Sequence, residues 1–86
     1  MNIHVSGLSE QISEDDLRTL FSVYGIVSFI VMVRDQNNGR SRGQAFVEMP
    51  NQSQGEQAVM ALNKMVMDNR AIAVKAIEYK AGEFNN

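Results

Sequence analysis

The fold of this chain is decided by residues 44–49, which read QAFVEM and are followed by Pro50. Successive side chains of a β-strand point to opposite faces of the sheet, so every second residue shares a face. The alternation assigns three residues to the core, namely Ala45, Val47 and Met49. It leaves three others on the open face of a sheet, namely Gln44, Phe46 and Glu48. An outward Phe46 is unfavourable in water, so this face is expected to be covered by a ligand.

A strand and a helix are predicted before this stretch. Residues 3–8, IHVSGL, alternate apolar and polar side chains and reach a glycine, as a half-buried strand does. Ser13 then precedes three carboxylates, in the pattern of a helix N-cap followed by an acidic first turn. Asp16 stands three residues after Ser13 and could close a capping box. Apolar residues continue at helical spacing to Tyr24, and Gly25 is predicted to end the helix.

Two further strands and a second helix complete the pattern. Residues 26–34 are rich in β-branched side chains and are too short for a confident helix, which favours a strand. Ser53 and Glu56 have the spacing of a capping box ahead of the second helix. A turn is predicted at residues 68–69, and a last strand at residues 72–77.

The resulting order of elements is β-α-β-β-α-β. This order predicts an α+β, ferredoxin-like sandwich, in which a four-stranded antiparallel sheet carries both helices on one face and leaves the other face open. The 86 residues suffice for one domain and not for two. We expect a single domain over residues 1–80 and a flexible C-terminal tail over residues 81–86.

Composition excludes several classes of function. The chain contains no cysteine and a single histidine, His4, so neither a disulfide framework nor a zinc site is expected. We find no set of nucleophile, base and orienting residue and no phosphate-binding loop, so we expect no enzyme activity and no cofactor. No apolar run reaches the roughly 20 residues that a membrane helix requires, and the N-terminus does not resemble a secretory signal. A soluble, cytoplasmic protein without membrane contact is therefore expected.

Charge is distributed unevenly along the chain. The net charge of −2 argues against strong, non-specific binding of nucleic acid. Acidic residues cluster within residues 10–16, whereas Arg34, Arg40 and Arg42 form a basic cluster. If these clusters lie on opposite faces, a weakly basic surface survives within an acidic protein. Charge alone therefore favours neither a nucleic acid nor another partner.

Two segments resemble the signatures of the RNA-recognition-motif family. Residues 42–49 are similar to the longer signature, which is a basic residue and glycine, an aromatic, Gly or Ala, and then Phe-Val-x-aromatic. The matching positions are Arg42, Gly43, Ala45, Phe46 and Val47, and the departures are Gln44 and Met49. Residues 3–8 resemble the shorter signature, with His4 where an aromatic residue usually stands. The resemblance covers residues 2–78 and extends to small single-domain bacterial RNA-binding proteins.

The resemblance implies that the strands carrying the two signatures pair in the centre of the sheet, with His4 near Phe46. Unpaired RNA bases stack on such a platform, which contributes roughly 1–3 kcal/mol per base. His4 could stack on a base or be an ordinary polar surface residue. Gln44 cannot replace a stacked ring, but it can hydrogen-bond to a base edge or a sugar. We therefore expect single-stranded RNA, possibly also single-stranded DNA, to bind with modest affinity and loose specificity.

Further residues are expected around this platform. Arg42 and Arg40 could reach phosphates or stack on a base, although either could be a solvated loop charge. Lys75 is expected to border the sheet from the last strand. Tyr79 could extend the binding face or pack back on the protein. The second strand is expected to contribute Val31 and Val33.

The second strand also supports a rival hypothesis. Its alternation leaves several apolar side chains outward, and exposed apolar patches often mark protein interfaces. A protein-interaction or homodimerisation module on the same face would use Phe29, Val31, Val33 and Phe46.

Overall fold

The computed structural model describes residues 1–77 of the chain. Its elements are β1 (Asn2–Ser6), α1 (Glu14–Ser22), β2 (Phe29–Arg34), β3 (Ser41–Glu48), α2 (Gln52–Leu62), β4 (Val66–Met67), β5 (Arg70–Ala71) and β6 (Ala73–Ile77). The predicted order is confirmed, with β4 and β5 as an additional short hairpin before the last strand. Tyr79, the domain limit at residue 80 and the tail at 81–86 lie outside the described residues. Within the described part of the chain, neither helix is long and apolar enough to cross a membrane.

The four main strands form one antiparallel sheet in the order β2-β3-β1-β6. The two strands that carry the family signatures, β1 and β3, are therefore central, as the resemblance implied. Their register places Ile3 opposite Val47 and Val5 opposite Ala45. Both helices pack on the same face of this sheet, which confirms the ferredoxin-like prediction. The β4–β5 hairpin forms a separate two-stranded sheet.

The core lies between the sheet and the two helices. β1 contributes the fully buried Ile3 and Val5, and α1 contributes Leu17 and Phe21. The alternation predicted for β3 holds, because three residues are buried, namely Ala45, Val47 and Met49. On β2 the core side chains are Ile30 and Met32, as expected. The buried residues of the described chain are therefore apolar apart from glycine, and the side chains of His4, Gln44, Phe46 and Lys75 are left for the opposite, open face.

The helix boundaries differ in part from those predicted. The capping box of α1 is confirmed, since Ser13 Oγ accepts from the Asp16 N–H and Asp16 Oδ2 accepts from the Ser13 N–H. However, α1 ends at Ser22, before the Tyr24 that was expected to belong to it. The Tyr24 N–H donates to the Phe21 carbonyl at 3.0 Å, which closes a tighter turn than the α-helix would.

The predicted start of α2 was wrong. The N-cap is Asn51, whose Oδ1 accepts from the Gln54 N–H at 2.9 Å, and the helix begins at Gln52 rather than after Ser53. Asparagine caps a helix as well as serine does, and Asn51 directly follows Pro50, two residues after the end of β3. The first good cap after Pro50 therefore takes precedence over the second.

One close backbone contact joins the ends of the two central strands. The Leu8 N–H donates to the Gly43 carbonyl at 3.0 Å. Gly43 has a φ of +75°, which L side chains rarely adopt. A Cβ at Gly43 would lie 2.6 Å from the Leu8 carbonyl oxygen. Glycine is thus required here for two independent reasons.

We expect Gly43→Ala to lower the free energy of unfolding by about 2–4 kcal/mol, because left-handed backbone strain adds to the clash with Leu8. Urea denaturation measures the loss. Gly39→Ala is the matched control, since Gly39 has a φ of +71° but nothing within 4 Å of an added Cβ. Gly39→Ala should lower the free energy of unfolding only by the backbone strain, about 1–2 kcal/mol. Equal losses at the two positions would contradict the role given to the Leu8 contact.

Candidate nucleic-acid interface

The open face of the sheet carries one continuous row of side chains across all four strands. Val31 on β2 lies opposite Phe46 on β3. His4 on β1 lies opposite Phe46 on one side and opposite Lys75 on β6 on the other. Residues directly opposite each other in an antiparallel pair have Cβ atoms about 4.5–5.5 Å apart, so their side chains are in reach of one another. We call this set, Val31, Phe46, His4 and Lys75, the central row.

Two rings form the middle of the central row. The His4 and Phe46 ring centroids are 5.1 Å apart, with a tilt of 50° between the ring planes. This distance and tilt are typical of favourable ring pairs, which avoid a face-to-face sandwich. Phe46 remains 38% exposed and Val31 remains 50% exposed. The two rings and the valine thus present a contiguous apolar surface that an unpaired base could cover.

Gln44 joins the same face next to the central row. Its Oε1 lies 3.2 Å from His4 Nε2, within hydrogen-bonding distance. Two of the three departures from the family signatures, His4 and Gln44, are therefore in contact with each other on the open face, whereas the third, Met49, is buried in the core. They belong to different strands, so the sequence placed both on the outward face but could not show that they meet.

A second row runs parallel to the central row at the other end of the strands. Glu48 lies opposite Phe29 on one side and opposite Asn2 on the other, and Asn2 lies opposite Ile77. The Ser28 hydroxyl donates to Glu48 Oε1 at 2.6 Å, which holds this carboxylate at the edge of the platform. Sequence reasoning did not include Asn2 or Ile77 in the site. The alternation of side chains along β1 and β6 assigns both residues to the open face, and this was the signal available in the sequence.

The predicted basic cluster is divided by the structure. Arg34 lies 3.6 Å from Glu14 on α1 and also donates to the Gly39 carbonyl, so it is engaged away from the open face. Arg40 and Arg42 are exposed and precede Gln44 along the chain, at the end of the sheet opposite Glu48. Val33 is half-buried beside an irregularity in the β2–β3 register and lies outside the central row.

The loop between β2 and β3, which carries Arg40, is ordered by Asp35. Its Oδ1 accepts from the N–H groups of Asn37 and Asn38 at 2.8 and 3.2 Å. These backbone hydrogen bonds, and to a smaller extent the charge of Arg42, lower the pKa of Asp35 below its ordinary value of 3.8. The Asp35 N–H also donates to the Arg40 carbonyl at 2.8 Å, which closes the base of the loop.

Comparison with known proteins agrees with this geometry. The model of the RNA recognition motif family matches residues 3–73. The chain therefore belongs to the RNA recognition motif family. Glycine-rich RNA-binding protein 1 of Mycosarcoma maydis is 36% identical over 84% of the chain, which corresponds to 41% of that relative's length. RbpE of Nostoc sp., named as an RNA-binding protein, is 36% identical over 86% of the chain and 75% of its own length.

Solved structures give the same result. The crystal structure of the RNA-binding protein PG1 matches with a TM-score of 0.87 and 36% identity, covering 93% of this chain and 98% of that one. The protein chain of an SXL-lethal protein/RNA complex matches with a TM-score of 0.81 and 32% identity, covering 86% of this chain and 46% of that one.

We expect the Asp35 carboxylate to stabilise the folded chain in a pH-dependent manner. Because its folded pKa is lowered, this contribution is complete above the unfolded value near 3.8 and is lost as the pH falls through the folded pKa. The difference in unfolding free energy between wild type and Asp35→Ala should therefore shrink as the pH is lowered through that range. Urea denaturation at several acidic pH values measures it. A difference that does not change with pH would contradict the role assigned to the carboxylate.

Proposed function

We propose that this chain binds single-stranded RNA on the open face of its sheet. The observation that carries the proposal is the central row, in which an exposed Phe46 and His4 stand 5.1 Å apart on the two central strands. Relatives and solved neighbours that are named for RNA binding, or were solved with RNA, support the proposal.

Stacking supplies the first part of the binding energy. A base that covers Phe46 removes apolar ring surface from water and contributes roughly 1–3 kcal/mol. A second base covers His4, and Val31 extends the apolar surface toward β2. The width of the sheet suits a segment of roughly two to four unpaired nucleotides.

Electrostatic attraction to the phosphates supplies the second part of the binding energy. Arg40 and Arg42 at one end, and Lys75 at the β6 side of the central row, are the proposed phosphate contacts. Glu48 and the net charge of −2 oppose the approach of a polyanion. Affinity is therefore modest, and its dependence on salt is shallow because few phosphates are neutralised.

We further propose the role of the protein and the place in which it acts. It acts as a binding module without catalytic activity, within one domain over residues 1–80, and Tyr79 is included among its contacts. Single-stranded DNA offers the same bases and phosphates and is a secondary ligand. RNA is an intracellular molecule, so the cytoplasm is the proposed location, and a regulatory or chaperone-like role follows by analogy with small bacterial RNA-binding proteins.

We expect Phe46→Ala to weaken binding of short single-stranded RNA by at least about 1 kcal/mol, because it removes the central stacking surface. Fluorescence anisotropy with labelled mixed-sequence octamers measures the change. Met60→Ala, at an 83% exposed position on α2, is the control and should leave affinity unchanged. If the folded wild type binds no RNA at high micromolar concentration, the RNA proposal fails. The same face, with Phe29, Val31, Val33 and Phe46, should then be tested by sedimentation for self-association.

A second expectation concerns the phosphate contacts. Arg42→Gln should make the slope of log affinity against log salt shallower by about 0.7, since one contact to a single strand is lost. Arg18→Gln removes the same charge from α1, on the opposite side of the sheet, and should leave the slope unchanged. Anisotropy titrations at four salt concentrations give both slopes. A wild-type slope in Arg42→Gln would exclude this side chain from the interface.

A further inference from the structure

We propose that Asn38 is a site of spontaneous deamidation, and that the negative charge created there weakens RNA binding at the end of the open face that carries Arg40 and Arg42. The modification site rests on the chemistry of the β2–β3 loop alone. Its effect on affinity rests on the proposed RNA binding.

The reacting pair is Asn38 and Gly39, the only Asn-Gly pair in the chain. In this reaction the backbone nitrogen of the residue after an asparagine attacks the side-chain amide carbon. A side chain on that residue obstructs the attack, and glycine has none. A Cβ added at Gly39 would meet nothing within 4 Å, and both residues are exposed. Water and hydroxide therefore have access to the reacting atoms.

The reaction is a loss of ammonia followed by an addition of water. Hydroxide removes the proton from the Gly39 nitrogen, which then bonds to Asn38 Cγ. The bond between Cγ and Nδ2 breaks, the leaving nitrogen takes a proton from water, and a succinimide ring remains. Water then opens the ring at either of its carbonyls, which leaves aspartate or isoaspartate at position 38. Either product carries a negative charge where the amide was neutral.

The loop presents a hydrogen-bond donor to the oxygen on which charge develops. Asn38 Oδ1 accepts from the Arg40 N–H at 2.9 Å. This bond folds the Asn38 side chain forward over the Gly39 peptide, as in an Asx turn. When the Gly39 nitrogen adds to Cγ, negative charge collects on Oδ1, and a donor that is already in place stabilises it. The folded loop thus holds the amide toward the nitrogen that attacks it.

Asp35 opposes the reaction from the other side of the loop. The Gly39 N–H donates to the Asp35 carbonyl at 2.9 Å, and the Asn38 N–H donates to Asp35 Oδ1 at 3.2 Å. The first of these hydrogen bonds must open before the Gly39 nitrogen can lose its proton. Because the loop is exposed, its local opening costs much less free energy than global unfolding. Asp35 therefore slows the reaction without preventing it.

The new carboxylate lies close to the proposed phosphate contacts. Position 38 stands two residues before Arg40 and four before Arg42. A negative charge there repels phosphate and competes with it for the guanidinium groups. Isoaspartate also adds a methylene to the backbone, which disturbs the hydrogen bonds that order the loop. Both products should therefore lower the affinity for RNA.

Mass mapping of peptides from the whole chain, incubated at mildly acidic and mildly alkaline pH, tests the modification site. Asn38 should convert faster than Asn37 and Asn69, which are also exposed but precede residues with side chains. The rate should rise with pH, because hydroxide generates the nucleophile. Asp35→Ala should convert faster than wild type, since one restraint on the loop is removed.

The same measurement can contradict each part. Conversion at Asn38 no faster than at Asn37 and Asn69 would overturn the modification site. An unchanged rate in Asp35→Ala would overturn the restraint assigned to the Asp35 side chain. Asn38→Ser is the matched control, because its hydroxyl can still accept from the Arg40 N–H but it has no amide to lose.

Fluorescence anisotropy with labelled mixed-sequence octamers tests the effect on binding. Asn38→Asp supplies the charge without incubation and should weaken binding by up to about fivefold at low salt, the value of one surface charge pair. The loss should shrink at high salt, where the charge is screened. Wild type should lose affinity in step with its conversion during alkaline incubation. Asn38→Ser should bind like fresh wild type before and after the same incubation.

The outcomes separate the two proposals. Unchanged affinity in Asn38→Asp and in converted wild type would overturn the effect on binding while RNA binding stands. Failure of fresh wild type to bind RNA would overturn the proposed function and, with it, the effect on affinity. The mass map decides the modification site in either case.

Discussion

The pairing of β1 with β3 is the constraint on which the rest of the structure depends. Its register sets Ile3 against Val47 in the core and His4 against Phe46 on the open face. A slip of one residue would exchange the two faces of a strand, which would bury His4 and expose the apolar partners. The contact of Leu8 with Gly43 at the end of this pair admits only glycine, so it opposes such a slip. The same few backbone contacts thus secure both the core and the binding face.

Sequence alone could predict the faces of the strands better than the limits of the helices. Alternation over residues 44–49 is a local property, and burial followed it. The start of α2 was missed because two capping residues, Asn51 and Ser53, compete within three positions, and both satisfy the same local rule. The β4–β5 hairpin was missed for another reason. Only its turn is visible in sequence, and the two strands are too short to show a periodic pattern.

In the candidate site, too, some relations between residues could be predicted from the sequence and others could not. That Gln44 and Phe46 share a face was predictable, since both belong to one strand. The His4–Gln44 hydrogen bond and the alignment of Lys75 with His4 were not, because they depend on the register of strands far apart in the chain. The pairing of Arg34 with Glu14 likewise required the position of α1 against β2. Relations within an element can be derived from sequence, whereas those between elements require the tertiary structure.

Two features of the open face, Gln44 and Glu48, have a common physical consequence. Stacking on an aromatic ring tolerates any base, because every base has a π-face, and phosphate contacts do not depend on sequence. This chain has an amide in place of one ring, and an acidic side chain, Glu48, at the edge of its platform. On the proposed function, both features weaken the contributions that do not distinguish bases. Such a face is then better suited to a short unpaired segment than to coating long RNA.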